Sequence, residues 1–155
     1  MKLRFFQVLI VLLVLSSAAC KRAVVVEEII TLPESVWNRF NILEYTLSVT
    51  DLRSEYDLIV LVNVSDDRIP ERFPIHFILT SPSGETRIWE HTFLFRNPDN
   101  SIRGTQRQGA YEFEFVVRNN MKFNERGSHQ LSLEQFHPTY NTHGISSVGV
   151  RVVRN

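Results

Sequence analysis

The chain has 155 residues, with 17 basic and 17 acidic side chains and a single cysteine. This length fits one domain. The neutral charge balance excludes the basic surface that nucleic-acid-binding proteins carry, so we expect no nucleic-acid partner. One cysteine cannot form a disulfide within the chain, which excludes the usual structural role of cysteine in an exported protein.

The first 19 residues are typical of a secretory signal peptide. Lys2 and Arg4 form a short basic region, residues 5–15 are apolar at all but one position, and residues 16–19 are all small. The apolar run covers eleven positions, whereas a membrane-spanning helix needs about 20. We therefore predict a cleavable signal over residues 1–19 and not a permanent N-terminal anchor.

Cys20 directly follows these small side chains, and Ser17-Ala18-Ala19-Cys20 resembles a bacterial lipobox without its usual leucine. In a lipobox the cysteine sulfur receives a diacylglyceryl group, and the cysteine becomes the first residue of the mature chain. Each buried lipid methylene contributes about 0.8 kcal/mol, and stable anchoring needs more than one acyl chain. We expect Cys20 to be lipidated and to hold the protein on a membrane.

The residues after Cys20 indicate how the domain is presented. Lys21 and Arg22 are placed near anionic head groups and add modestly to attachment. No acidic run follows Cys20, so we see no signal for display on the outer cell face and expect a periplasm-facing domain. We interpret residues 20–31 as a tether or an opening strand, with residues 24–30 as the segment that would form the strand.

The rest of the chain alternates apolar and polar residues, the period of half-buried β-strands. The inward-facing sets are Leu43, Tyr45, Leu47 and Val49; Tyr56, Leu58, Val60, Val62 and Val64; Ile75, Phe77 and Leu79; Tyr111, Phe113, Phe115 and Val117; Leu131 and Leu133; and Val148, Val150 and Val152. Ser81-Pro82-Ser83-Gly84 is a strong turn signal, and it predicts a hairpin between the strand at Ile75 and one over residues 86–95.

Seven or eight such strands, and no helical period of useful length after residue 20, predict an all-β fold: an antiparallel β-sandwich over residues 32–155. We expect one shared core that contains Leu47, Val60, Phe77, Phe113 and Val150. The segments interpreted as linkers are rich in Pro, Gly, Asn and Asp; they are residues 68–74, 97–109, 119–128 and 139–144.

The five histidines do not have the close spacing of a zinc site. We interpret them as scattered surface residues, with His76 and His91 facing away from the apolar side of their strands and His129 at the start of another strand. Only His137 and His143 can meet, across the loop between them. We therefore predict no metal and no cofactor.

Glu112 and Glu114 project from one face of a strand, and paired carboxylates are typical of glycosidases. Residues two apart on a strand are separated by about 6.6–6.8 Å, more than the ~5–5.5 Å of a retaining enzyme. No third acid accompanies them, so a solvated strand face is favoured. Ser83-Gly84 is a turn and not a nucleophile elbow, and there is no phosphate-binding glycine loop. No catalytic residue and no enzyme are predicted.

The two tryptophans leave an alternative open. Trp37 and Trp89 suit a carbohydrate-stacking platform, which would make the domain a lipid-anchored carbohydrate-binding module. The favoured interpretation places Trp89 in the core, on the opposite face from Ile88, and Trp37 as a plug at one end of the sandwich.

Several segments, in order and spacing, resemble one known family. They are Trp37, LEYTLSVTD (43–51), YDLIVLV (56–62), FPIHFIL (73–79), PSG (82–84), PDN (98–100), Gly104, Gly127, LSLEQ (131–135) and GISSVGVRV (144–152). The resemblance is to the gliding-motility lipoprotein GldH family of Bacteroidota. It implies a non-enzymatic lipoprotein that is needed for surface gliding and works with other envelope proteins of the motility and type IX secretion machinery.

We therefore favour an interaction protein, with a carbohydrate-binding module as the alternative and a hydrolase that uses Glu112 and Glu114 as a third hypothesis. Recognition surfaces of sandwiches are commonly built on end loops. Arginine and apolar side chains in the two longest segments have the composition of protein interfaces. The candidate partner-binding residues are Arg103, Arg107, Met121, Phe123 and Arg126, and we expect Phe123 and Arg126 to be replaceable without loss of thermal stability.

Replacing Cys20 by alanine removes the only thiol that can carry lipid. We expect Cys20→Ala to release the protein from the membrane or to leave it unprocessed, and to abolish incorporation of a fatty-acid analogue in metabolically labelled cells. Equal label in the wild type and in Cys20→Ala would show that the protein is not a lipoprotein of this kind.

Overall fold

A computed structural model describes residues 23–65 and 69–155 of the chain. The predicted signal peptide and Cys20 lie outside the described residues. The strands are β1 (Ala23–Thr31), β2 (Val36–Asn38), β3 (Leu43–Val49), β4 (Tyr56–Val64), β5 (Arg72–Thr80), β6 (Thr86–Leu94), β7 (Thr105–Arg107), β8 (Ala110–Met121), β9 (Gly127–Gln135), β10 (Asn141–His143) and β11 (Ile145–Arg154). A short 3-10 helix, Pro33–Ser35, precedes β2.

The strands form two main antiparallel sheets. One has the order β1-β11-β4-β8-β7, the other has the order β3-β9-β5-β6, and β10 pairs with β2 in a small third sheet. This architecture confirms the predicted all-β antiparallel sandwich. The opening segment is part of it, because β1 pairs with β11 along its whole length.

Among the described residues, eight strands have seven or more residues, in agreement with the predicted number. The three-residue strands β7 and β10 lie in segments that the sequence had suggested were linkers, and this is a correction. A three-residue strand is too short for an alternating pattern to be recognised. The linker at residues 68–74 is also shorter than expected, because β5 begins at Arg72.

The alternating residues form a common core between the sheets. Leu47, Val60, Phe77, Phe113 and Val150 are all buried in one cluster, as predicted. Between the two sheets, the hydroxyl of Tyr45 on β3 donates a hydrogen bond of 2.8 Å to the carbonyl of Val148 on β11. Burial, followed by the charge of Glu28, raises the pKa of Tyr45, so this hydroxyl keeps its proton and remains a donor.

The predicted hairpin between β5 and β6 is confirmed. Phe77 lies opposite Trp89 and Thr80 opposite Thr86. Gly84 has a φ of 90°, a conformation that costs a glycine little and most other residues more. The turn is closed by the amide of Ser81, which donates to the carbonyl of Glu85.

Phenylalanine rings close one long side of the sandwich, where β6 approaches β8. Phe93 stacks on Phe115 with ring centroids 4.3 Å apart, and Phe95 meets Phe113 edge-on at 4.9 Å. Gly104 lies against the ring of Phe113, and a Cβ at this position would be only 2.7 Å from that ring. The chain between β6 and β7 can pack here only because residue 104 has no side chain.

Replacing Phe113 by alanine would remove a ring that is 5% exposed and lies against Phe95 and Phe115. We expect the free energy of unfolding to fall by about 3–5 kcal/mol. Ile88 is 68% exposed, so the matched control Ile88→Ala should change it by less than about 0.5 kcal/mol. Denaturant unfolding of the purified mature protein measures both, and a loss at Phe113 as small as the control would contradict this packing.

Candidate functional site

The two segments that carry the candidate partner-binding residues lie at opposite ends of the sandwich. Arg103 and Arg107 precede β8, whereas Met121, Phe123 and Arg126 end or follow it. A strand of 12 residues separates its ends by roughly 36 Å. The five residues therefore do not meet in one surface.

Phe123 is also not a surface residue. Its side chain is 4% exposed, and its ring meets Tyr56 at 5.4 Å and His129 at 4.8 Å. The chain after β8 turns inward here, and Phe123 covers one end of the core. Met121 is half-buried against the same core, and only Arg126 is exposed among the candidates at this end.

Arg103 and Arg107 are exposed and line an open cleft of about 830 Å³. The cleft also holds both carboxylates considered for hydrolysis, Glu112 and Glu114. Further polar groups in its lining include Glu27, Asn63, His91, Thr92, Thr105 and Arg151. The structure thus brings together the two acids and several polar groups, the arrangement that a hydrolase would need.

Most of the charged side chains in this cleft pair with one another. Arg107 lies 3.1 Å from Glu112, and Arg151 lies 2.6 Å from Glu27 and 3.0 Å from Glu114. The carboxylates of Glu112 and Glu114 are thus held in ion pairs with guanidinium groups of the domain itself. This geometry is better suited to hydrogen bonding with a polar ligand than to proton transfer.

His91 faces the inner side of β6, not the outer side that the sequence suggested. Its ring lies 5.6 Å from the ring of Phe93. Alternate residues of a strand point to the same face, so His91 shares the inner face of β6 with Trp89 and Phe93. Burial lowers the pKa of His91 below 6.5, so the imidazole is neutral at pH 7. His76 does face away from the core, where it pairs with Glu90 at 3.4 Å.

Of the remaining histidines, His129 differs from the expected surface position, because it is buried beside Phe123. His143 is exposed, as predicted, and lies on β10 opposite Val36. His137 contacts the hydroxyl of Thr139 at 2.7 Å. In the part of the chain that the structure describes, no three His, Cys, Asp or Glu side chains are grouped so that they could hold a metal ion.

The tryptophans do not form a platform. Trp37 is fully buried, and its indole N–H donates to the carbonyl of Asn41 at 2.9 Å. Trp89 stacks on Phe77 at 5.4 Å and packs against the core, with the guanidinium of Arg118 5.0 Å from its ring. Trp37 as a plug and Trp89 in the core are therefore confirmed.

Sequence reasoning missed a group of exposed apolar side chains at one end of the sandwich. It consists of Phe40, Ile42, Phe136 and Tyr140, which we call the distal aromatic surface. The rings of Phe40 and Tyr140 lie 5.9 Å apart, although the residues are 100 positions apart in the chain. The available signal was the presence of large aromatic residues within polar loop sequence.

Main-chain hydrogen bonds hold the two loops that carry this surface. The amide of Arg39 donates to the carbonyl of Tyr140 at 2.7 Å, and the amide of Phe136 donates to the carbonyl of Pro74 at 2.9 Å. Beneath them, the side chain of Asn38 donates to that of Asn141 at 2.7 Å. The aromatic side chains are thus presented on an ordered base.

The distal aromatic surface lies at the opposite end from the N-terminal entry of the chain. In the five-stranded sheet, Ala23, Arg154, Tyr56 and Met121 are register partners at one end, which we call the tether end. At the other end, Thr31 pairs with Ser147, and the chain continues directly through Leu32 into the segment that carries Phe40. The nine residues of β1 span about 26 Å between these ends.

The fold and its surfaces define the protein as a small antiparallel β-sandwich domain. The model of the GldH lipoprotein family matches residues 24–152, and the chain belongs to this family, as the sequence resemblance indicated. A comparison with curated proteins found no match. The family indicates a membrane-anchored lipoprotein of the cell envelope and is not a known enzyme family. Within the described residues, no helix is long and apolar enough to cross a membrane.

Because Phe123 covers the core, Phe123→Ala should lower the free energy of unfolding by about 3 kcal/mol or more. Arg126 is exposed, so Arg126→Ala should change it by less than about 0.5 kcal/mol. Thermal and denaturant unfolding of the two single variants separates the two effects. Equal stability of the two variants would contradict the burial of Phe123 and would indicate that it is a surface residue.

Proposed function

We propose that the protein is a lipid-anchored, non-enzymatic interaction component of the envelope machinery for gliding motility and type IX secretion. Lipid on Cys20 holds it on a membrane, and its domain faces the periplasm. Its partners are other envelope or gliding-machinery proteins. The observation that carries this proposal is an exposed apolar surface at the end of the domain opposite the tether.

The geometry supports this proposal in two ways. Cys20 is three residues before Ala23, so the lipid lies within about 10 Å of the tether end along the chain. A contiguous apolar patch on a water-exposed domain is typical of a docking site. A tether at one end and a docking surface at the other suit a protein that holds a partner at a fixed distance from a membrane.

The cleft beside β8 favours a second candidate function, the binding of an envelope glycan. Its paired carboxylates and guanidinium groups offer hydrogen bonds to hydroxyl groups. The expected tryptophan platform is missing, since Trp37 is fully buried and Trp89 packs on Phe77. We therefore rank this function below protein binding.

Deletion of the gene in its native host should abolish gliding and type IX secretion, and the wild-type gene should restore both. Cys20→Ala should fail to restore them, because the domain is no longer held on the membrane. A matched control replaces residues 1–20 by the signal and cysteine of another lipoprotein and should succeed. Affinity purification from crosslinked native membranes should retrieve motility or secretion proteins with the wild type.

Two results would overturn the proposal. One is unchanged gliding and secretion in the deletion strain. The other is retrieval of glycan fragments, and of no machinery protein, by the wild-type domain.

A further inference from the structure

We propose that the distal aromatic surface binds a protein partner through a segment in which apolar side chains stand beside a carboxylate. This inference rests on the proposed function and specifies its docking site. It moves that site away from Arg103, Arg107, Met121, Phe123 and Arg126.

The first observation is the concentration of exposed apolar side chains. Phe40 is 76% exposed, Tyr140 63%, Phe136 52% and Ile42 46%. These are four of the nine large hydrophobic side chains that are exposed among the described residues. Single exposed hydrophobic residues are common on protein surfaces, but a contiguous group marks an interaction site.

The second observation is the unpaired charge at the edge of this group. The guanidinium of Arg39 lies 5.3 Å from the centre of the Phe136 ring. No carboxylate of the described residues lies within ion-pair distance of Arg39. The nearby Glu90 is occupied by His76, which in turn stacks on Phe136 at 4.5 Å. A carboxylate from a partner is therefore the group that completes this arrangement.

The charge of Arg39 also acts on the neighbouring imidazole of His137. Burial, and then the charge of Arg39, lowers the pKa of His137 and so favours its neutral form. Arginine and aromatic residues are enriched among the residues that contribute most to protein–protein binding, and this surface combines both. Because hydrogen bonds already fix the two loops, binding costs little further ordering of the backbone.

Position and shape favour a protein over the other occupants. The surface is separated from the tether end by the length of β1, so the membrane that anchors Cys20 does not cover it. The planes of Phe40 and Tyr140 are inclined by 39°, so they do not form the flat platform on which a sugar ring stacks. Ile42 adds an aliphatic side chain that suits apolar protein side chains.

The first experiment places the photo-crosslinking residue benzoylphenylalanine at position 40 of the full-length protein in native cells. The matched control places it at position 88, where Ile88 is equally exposed on β6 near the tether end. We expect position 40 to crosslink to a protein other than this chain, at a segment that contains apolar residues and Asp or Glu. Position 88 should give no crosslink to that segment. The proposal is overturned if position 40 crosslinks to lipid, to glycan, to a second copy of the chain or to a protein segment without an acidic residue. It is also overturned if position 40 gives no crosslink.

The second experiment tests the charge. Arg39→Glu should reduce the yield of the crosslink from position 40 by about tenfold or more, equivalent to about 1.4 kcal/mol. Arg154→Glu, a charge reversal at the tether end, should leave it unchanged. Arg39 is partly exposed and Arg154 is exposed, so the melting temperatures should stay close to the wild type. Equal yields in the two variants overturn the role of Arg39.

The inference and the proposed function can fail separately. If position 40 crosslinks to an acidic, apolar segment of a protein outside the motility and secretion machinery, the inference stands and the proposed function fails. If native membranes yield machinery proteins and position 40 yields no crosslink, the proposed function stands and the inference fails.

Discussion

The described part of the chain depends on side-chain packing between two sheets, which share no backbone hydrogen-bond ladder among these residues. What joins them is the packing of their inner faces, above all the Phe93–Phe115 and Phe95–Phe113 contacts along one side. The hydrogen bond from Tyr45 to Val148 adds one polar contact across the core. Because the inner faces are buried against each other, functional groups can lie only on the outer faces, on the edges and at the two ends.

The strands run from end to end of the sandwich, and this fixes the relation between attachment and recognition. The chain enters at the tether end through Ala23 and reaches the other end at Thr31, from which it continues to Phe40. The connection between β9 and β10 brings Tyr140 to the same place, where its carbonyl accepts the amide of Arg39. A membrane lipoprotein built in this way presents its aromatic residues away from the bilayer.

The two surfaces differ in how their charges are balanced. In the cleft, Arg151 is held by Glu27 and Glu114, and Arg107 is held by Glu112, so the charges are largely compensated within the domain. On the distal aromatic surface, the guanidinium of Arg39 lies over the ring of Phe136 and has no ion-pair partner among the described residues. An exposed ion pair contributes little free energy, whereas an uncompensated cation beside apolar groups discriminates between partners. This contrast is why recognition is better placed at the distal end than in the cleft.

The sequence by itself determined the eight long strands, the hairpin at Gly84 and the shared core, because alternation with period two indicates which face of a strand is buried. The order and spacing of several segments also indicated the family. The alternation of apolar and polar residues does not indicate the order of the strands in a sheet, or which loops lie at the same end of the sandwich. Tertiary structure alone decided that β8 separates Arg107 from Phe123, that Phe123 and His129 turn inward, and that Phe40 meets Tyr140. These outcomes depend on contacts between segments far apart in the chain, and no local pattern of polar and apolar residues records such contacts.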